Sequence, residues 1–136
     1  MVRVIKKTIV DKSKFIVYKK IAESFYQSSL SEIKFERWNS AGVLIIHSAI
    51  AFADSITIKK AGIKSRSENH IDVVRLIDAI IPDSDSKKNS LNQLERLIAH
   101  KTSVSYSGEP YDKKDIEKLF KHLENFKTWA IKIIND

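Results

Sequence analysis

The sequence predicts an all-α fold: an up-and-down antiparallel helical bundle of four long helices plus one short helix, in a single domain spanning residues 1–136. Three observations predict it. Three Gly and two Pro in 136 residues leave little material for a turn-rich β architecture. Apolar residues recur at the three-and-four spacing of a helix in most segments. Between Trp38 and Ser55 the run WNSAGVLIIHSAIAFADS carries no charged residue before Asp54, although 30% of the chain is charged. A helix that is apolar on nearly every side has to be covered by other helices. Asn39, Ser40, His47 and Ser48 interrupt the run. It therefore falls short of the roughly 18 unbroken apolar residues of a membrane span, and no membrane association is expected.

Residues 1–10 alternate loosely and fit a short strand, a tail or an early helical turn. Asp11 or Ser13 can cap a first helix over residues 13–30, with Phe15, Tyr18, Ala22 and Phe25 on its inner face. Ser29 and Glu32 have capping-box spacing, and Ser31 is an alternative cap, so the second helix is expected from residue 32 to 61. Lys59 and Lys60 suit the negative end of its dipole, and Gly62 suits the left-handed residue beyond it. IKSRSEN reads as a polar connection, with Ser67 or Asn69 capping a short helix that Pro82 stops. A fourth helix is expected over 87–106, weakening after His100 where KTSVSYSG lowers helix propensity. Asp112 caps the last helix, 113–134, whose apolar face runs from Ile116 to Ile133.

A net charge of +7 and a pI near 9.5 favour polyanionic partners such as RNA, although the lysines are scattered in pairs with no long basic block. Absence of Cys removes disulfides, thiolate zinc sites and Cys nucleophiles. The N-terminus lacks the apolar segment of a secretory signal, so a cytoplasmic location is expected. No glycine-rich phosphate loop and no HExxH motif is present, and the four histidines fall on different segments. Neither a cofactor nor a metal is expected.

Two local pairs could carry chemistry. Arg66 with His70, and Arg96 with His100, each stand four residues apart, which on a helix puts a phosphate-orienting cation beside a proton-transferring imidazole. Pairs of this kind are also common on solvated helix faces. A longer pattern is the line Ser40, His47, Asp54, in steps of seven on a helix built for burial. Each of these groups needs a partner, because a buried polar group left unpaired costs about 1–3 kcal/mol. The line either lines a wet pocket or bonds to neighbouring helices. Facing it, His70, Lys101 and Tyr106 complete the expected ligand site. Small residues Ala41, Ser48 and Ser55 form a neighbouring stripe that permits close helix approach, within the chain or in a homodimer.

The order WNSAGVLIIHSAIAFADS, Gly62, NHIDVVRLID, LERLIAHKTSVSY, FKTWAIKII resembles the HEPN superfamily (higher eukaryotes and prokaryotes nucleotide-binding domain), in particular its small stand-alone prokaryotic members, over about residues 12–134. The resemblance implies a dimerising bundle that binds nucleotides or RNA, or a protein partner, often in toxin–antitoxin or defence systems. Many members are metal-independent ribonucleases with Arg followed by His after four to six residues. Arg96 and His100 have three between them. Lys101 and Tyr106 resemble the ending of non-catalytic relatives. The expectation is a non-catalytic binding subunit, with a ribonuclease using Arg96 and His100 as the alternative and a structural homodimer third.

Overall fold

The computed structural model describes residues 5–66 and 70–136. The chain is mostly helical. Strand β1 (Lys7–Ile9) and a 3-10 turn (Lys12–Lys14) lead into α1 (Phe15–Lys34) and α2 (Trp38–Ala61). Strand β2 (Ile63–Ser65), α3 (Ile71–Ile80), α4 (Asp85–Ala99), the single turn α5 (Lys101–Ser105) and α6 (Lys113–Asn135) follow. At 1.5 Å per residue the 24 residues of α2 span about 36 Å, shorter than a helix from 32 to 61 would be.

Helix α2 is the element every other helix packs against. It touches α1, α3, α4, α5 and α6 as well as the 3-10 turn and β2, and Ser48 through Ile58 are all buried. Among the described residues it is the one helix long and apolar enough to cross a membrane, and most of it is covered by other helices. Ala41, Ser48 and Ser55 are fully buried on it. Ser48 Oγ donates to the Ala22 carbonyl at 2.8 Å and Ser55 Oγ to the Phe15 carbonyl at 2.9 Å. The small-residue stripe is thus occupied by α1 of the same chain and is closed to a second copy. On another side, Gly42 lets α5 approach: a Cβ there would lie 2.5 Å from Val104 Cγ2.

The boundary between α1 and α2 differs from the expected one. Ser29 is buried inside α1 and donates to the Tyr26 carbonyl at 2.7 Å, so it caps nothing, and α1 runs on to Lys34. The reversal at Phe35–Arg37 uses Glu36 at φ 57°, with the amides of Phe35, Glu36 and Arg37 taking the last carbonyls of α1. A non-glycine residue in the left-handed region costs about 1–2 kcal/mol, which is why no residue type announces this turn. By contrast Gly62, at φ 64°, ends α2 where expected, its amide on the Ile58 carbonyl at 2.8 Å.

Beyond Gly62 the chain pairs instead of looping freely. β2 runs antiparallel to β1 with Thr8 opposite Lys64, in a region read as connection. Val10 N–H to Gly62 O and Arg66 N–H to Lys6 O extend the ladder at both ends. The expected caps Ser67 and Asn69 lie outside the described residues. α4 begins at Asp85, capped by Ser84, whose hydroxyl accepts the Lys87 amide at 3.0 Å; it stops at Ala99, so the expected 87–106 helix is two pieces hinged at His100. Asp112 and Asp115 form a reciprocal capping box at the head of α6, as the expected cap requires.

One corner holds a buried cation. Lys87 is 3% exposed, and its Nζ reaches Asp78 Oδ1 at 2.8 Å, Asp83 Oδ1 at 2.6 Å and the carbonyls of Asp78 and Ile81. These carboxylates hold its pKa above the usual lysine range. The ammonium pins the α3–α4 corner, a role its place in a Lys-Lys pair does not suggest.

Candidate ligand site

The seven-residue step on α2 carries Ser40, His47 and Asp54 from solvent into the core: Ser40 is exposed, His47 half-buried and Asp54 buried. The His47 ring lies 6.0 Å from that of Phe25 on α1. Lys64, delivered by β2, puts Nζ 3.9 Å from Asp54 Oδ2 and 5.9 Å above the Tyr18 ring. His70, at the entrance of α3, and Lys101, the first residue of α5, are both half-buried.

Electrostatics ties these groups together. Burial pushes the His47 pKa down, and the Lys101 charge pushes it further. His70 is lowered by burial first, then by Lys101, His47 and Lys64. Asp54 moves the other way: burial raises its carboxyl to about 6, against the partial pull of Lys64. Near neutral pH the region therefore holds two neutral imidazoles, two ammonium groups and a carboxylate that is ionised at a cost to the fold. Asp54 sits in neither a fully wet pocket nor a tight ion pair. Its side chain is 11% exposed, and 3.9 Å is the outer limit of an ion pair. An entering anion would lower the local positive potential and draw protons onto His47 and His70.

Ser40 and Tyr106 stand on the surface: Ser40 is exposed near the start of α2, and Tyr106 is 79% exposed at the end of α5. Arg66 and His70 do not share a helix, since Arg66 follows β2 and His70 precedes α3. Their proposed cation–imidazole pairing loses its geometric basis.

Arg96 and His100 belong to a second cluster. Arg96 is exposed on α4 and lines a groove of about 600 Å³ between α4 and α6, beside Gln93, Asn125 and Lys132. His100 Nδ1 lies 2.8 Å from the Tyr111 hydroxyl, with the rings edge to face. His122 on α6 bonds to Gln93, and its pKa is lowered by burial, then by Arg96, His100 and Lys121. Sequence spacing shows neither His122 nor Tyr111 here: α6 brings His122 from a distant part of the chain, and Asn39 fixes Tyr111 in the connection ahead of α6. Among the described residues no three His, Asp or Glu are gathered to hold a metal ion.

Two contributors to the first site escape sequence reading. Lys64 sits in a stretch that reads as connection, and only the pairing of β2 with β1 aims it at Asp54. Asn39 reads as an interruption of an apolar run. Its amide donates to the carbonyls of Val104 at 3.1 Å and Glu109 at 3.0 Å, and its oxygen accepts the Tyr111 amide at 2.9 Å, so it anchors the segment that carries Lys101. No family model, no curated protein and no solved structure matches this chain.

Proposed function

We propose that the chain is a HEPN-like up-and-down antiparallel bundle of four long helices and one short one, acting as a non-catalytic subunit that binds the phosphate of a nucleotide or RNA. The binding region is the one built by His47, Asp54, Lys64, His70 and Lys101. The observation that carries the reading is the convergence of elements separated in sequence on one region, where Lys64 Nζ from β2 stands 3.9 Å from the buried Asp54 carboxyl of α2, and where burial first and the Lys101 charge second keep His47 and His70 low. An overall charge of +7 agrees with a polyanionic partner. RNA or nucleotide as the ligand, a protein partner, a toxin–antitoxin or defence setting and a cytoplasmic location rest on the sequence reading and its resemblance.

Titration of the histidine ring protons by NMR, with and without AMP or a short single-stranded RNA, tests this. Bound phosphate raises the pKa of both His47 and His70. Affinity falls steeply with salt, and Lys101→Ala weakens it by about tenfold, the equivalent of roughly 1.4 kcal/mol. Unmoved histidines and no binding at low salt would replace the nucleic-acid reading with that of a protein-binding subunit.

The runner-up is a metal-independent ribonuclease, favoured by the gathering of Arg96, His100 and His122. His100 spends Nδ1 on Tyr111 and leaves Nε2 for proton transfer. The expected result is intact single-stranded RNA after incubation in chelator. Cleavage that disappears in His100→Ala would make the ribonuclease the better reading.

A further inference from the structure

Positive charge is unevenly placed along this chain. Residues 6–21 carry six lysines against one acid, Asp11, which is a net +5 out of the +7 of the whole. Asp11 is already occupied: it accepts the Ser13 amide at 2.9 Å and the Ser13 hydroxyl at 2.8 Å at the head of the 3-10 turn. Exposed aliphatics collect in the same stretch. Ile9, Ile16, Val17 and Ile21 are each at least 41% exposed, and they are four of the seven large hydrophobic residues exposed among those described. Single exposed apolar side chains are ordinary, but four of them interleaved with five exposed lysines are not.

Local structure makes one surface of them. β1 is fixed at both ends, Val10 N–H to Gly62 O at 2.8 Å and Arg66 N–H to Lys6 O at 2.9 Å, and the 3-10 turn leads from it into α1. The inner side of α1 is taken by α2, since the Phe15 and Ala22 carbonyls accept the hydroxyls of Ser55 and Ser48. Ile16 with Lys20, and Val17 with Ile21, each stand four apart and so stack in neighbouring rows on the outer side. The seven residues from Ile9 to Ile16 reach at most about 25 Å, which keeps both in one patch.

We propose that this patch docks the protein on an anionic lipid bilayer, its lysines at the headgroup phosphates and Ile16, Val17 and Ile21 entering the boundary with the acyl chains. Lysine suits the arrangement, because its stem lies along apolar surface while its ammonium stays with the headgroups. Each lysine near such a surface is worth about fivefold in affinity. Charge alone would also suit RNA, but RNA rewards stacking on aromatic rings or guanidinium planes and gains nothing from aliphatic side chains. Residues 6–21 contain no Arg, and their two aromatic residues, Phe15 and Tyr18, are half-buried. A second copy is disfavoured too, because it would set +5 against +5. The expectation of no membrane contact rests on the interrupted α2 run and concerns spanning. A patch that lies on the bilayer, sunk by about 5–10 Å, needs no span.

Co-sedimentation of the whole chain with vesicles tests this. Wild type pellets with phosphatidylcholine vesicles that contain phosphatidylglycerol, stays in solution with phosphatidylcholine alone, and is released as salt rises. Lys7→Glu with Lys20→Glu weakens the association by about a hundredfold or more, at about fivefold for each unit of charge. Ile16→Ser, Val17→Ser and Ile21→Ser together leave the charge untouched and weaken it by about tenfold, with circular dichroism confirming the fold. Because the chain has no Cys, an environment-sensitive fluorophore on Val17→Cys reports insertion without rebuilding the face. Its emission shifts to the blue on anionic vesicles, whereas the same label on Glu95→Cys of α4 does not move. No binding to anionic vesicles, equal binding to neutral ones, or a Val17 label that stays in water overturns the inference. So does undiminished binding by the triple Ser variant, which would mark plain adsorption of a basic protein. Loss of RNA affinity in that variant, with vesicles unbound, would overturn it in favour of an RNA face.

Discussion

Asp54→Asn is expected to raise the melting temperature at pH 7.5, by on the order of 10 °C. The carboxyl is pushed up to about 6 by burial, from an ordinary 3.8. The folded chain thus keeps a proton that the unfolded chain releases, and stability falls as pH rises from about 4 to about 6. Above that window the whole cost is present, about 3 kcal/mol at about 1.4 kcal/mol per pH unit. Asn keeps the shape and never ionises, so its advantage is absent below pH 4 and complete above pH 6. At roughly 4 °C per kcal/mol for a domain of this size, that gives the stated rise. His47, His70 and His122 titrate with the opposite sign. Their folded pKa values are lowered, so they add stability as pH climbs through the imidazole range, and they partly hide Asp54 in the wild-type profile. Only the difference between variant and wild type isolates it. Equal melting temperatures at pH 7.5, or a difference that does not change between pH 4 and 7.5, would contradict the account. A buried carboxylate that weakens its own fold, with, among the described residues, only the Lys64 ammonium 3.9 Å away to offset it, is the pattern expected of a functional group.

How far residues alone lead depends on whether the signal is local. Asp112, with Asp115 three residues on and an apolar face behind it, specifies the head of α6 within one turn, and the helix begins where those residues place it. Gly62 does the same for the end of α2. Ser29 and Glu32 carry an equally good local signal, yet Ser29 turns inward because packing of α1 on α2 rewards a longer helix. The true turn uses Glu36 in a conformation that no sequence rule assigns to it. Three-residue strands such as β1 and β2 are too short to show a period. Hence Lys64 is not legible as a partner of Asp54, though the line joining His47 to Asp54 follows from helical geometry. The second cluster splits in the same way: Arg96 and His100 are neighbours in sequence, whereas His122 arrives through the docking of α6 and Tyr111 through the bond of its amide to Asn39. Lys87 shows the limit most clearly, since nothing in a Lys-Lys pair marks which ammonium the α3–α4 corner will enclose.

Asn39→Asp should destabilise the chain by about 2–3 kcal/mol, on the order of 10 °C, and should disturb the ligand site at the same time. The substitution keeps size and keeps an acceptor for the Tyr111 amide at 2.9 Å. What it removes are the two N–H donors that hold the carbonyls of Val104 and Glu109, at 3.1 and 3.0 Å. In their place an ionised oxygen faces two carbonyl oxygens, so two bonds of about 1 kcal/mol each are lost and repulsion is added. Protonation restores one donor. The variant's carboxyl is therefore more basic folded than unfolded, and its deficit shrinks as pH falls towards 4. The structural consequence reaches further than the bonds. Val104 seats α5 against Gly42, and α5 begins with Lys101, whose charge helps keep His47 and His70 neutral. Tyr111, held by the same amide group, is the partner of His100. Loosening this anchor lets Lys101 swing away, and the pKa values of His47 and His70 climb back towards 6.5, which histidine NMR resolves separately from the melting curve. A melting temperature within a degree of wild type would refute the anchoring role. Destabilisation with both histidines unmoved would show that Asn39 holds the 104–111 segment without setting the electrostatics of the site.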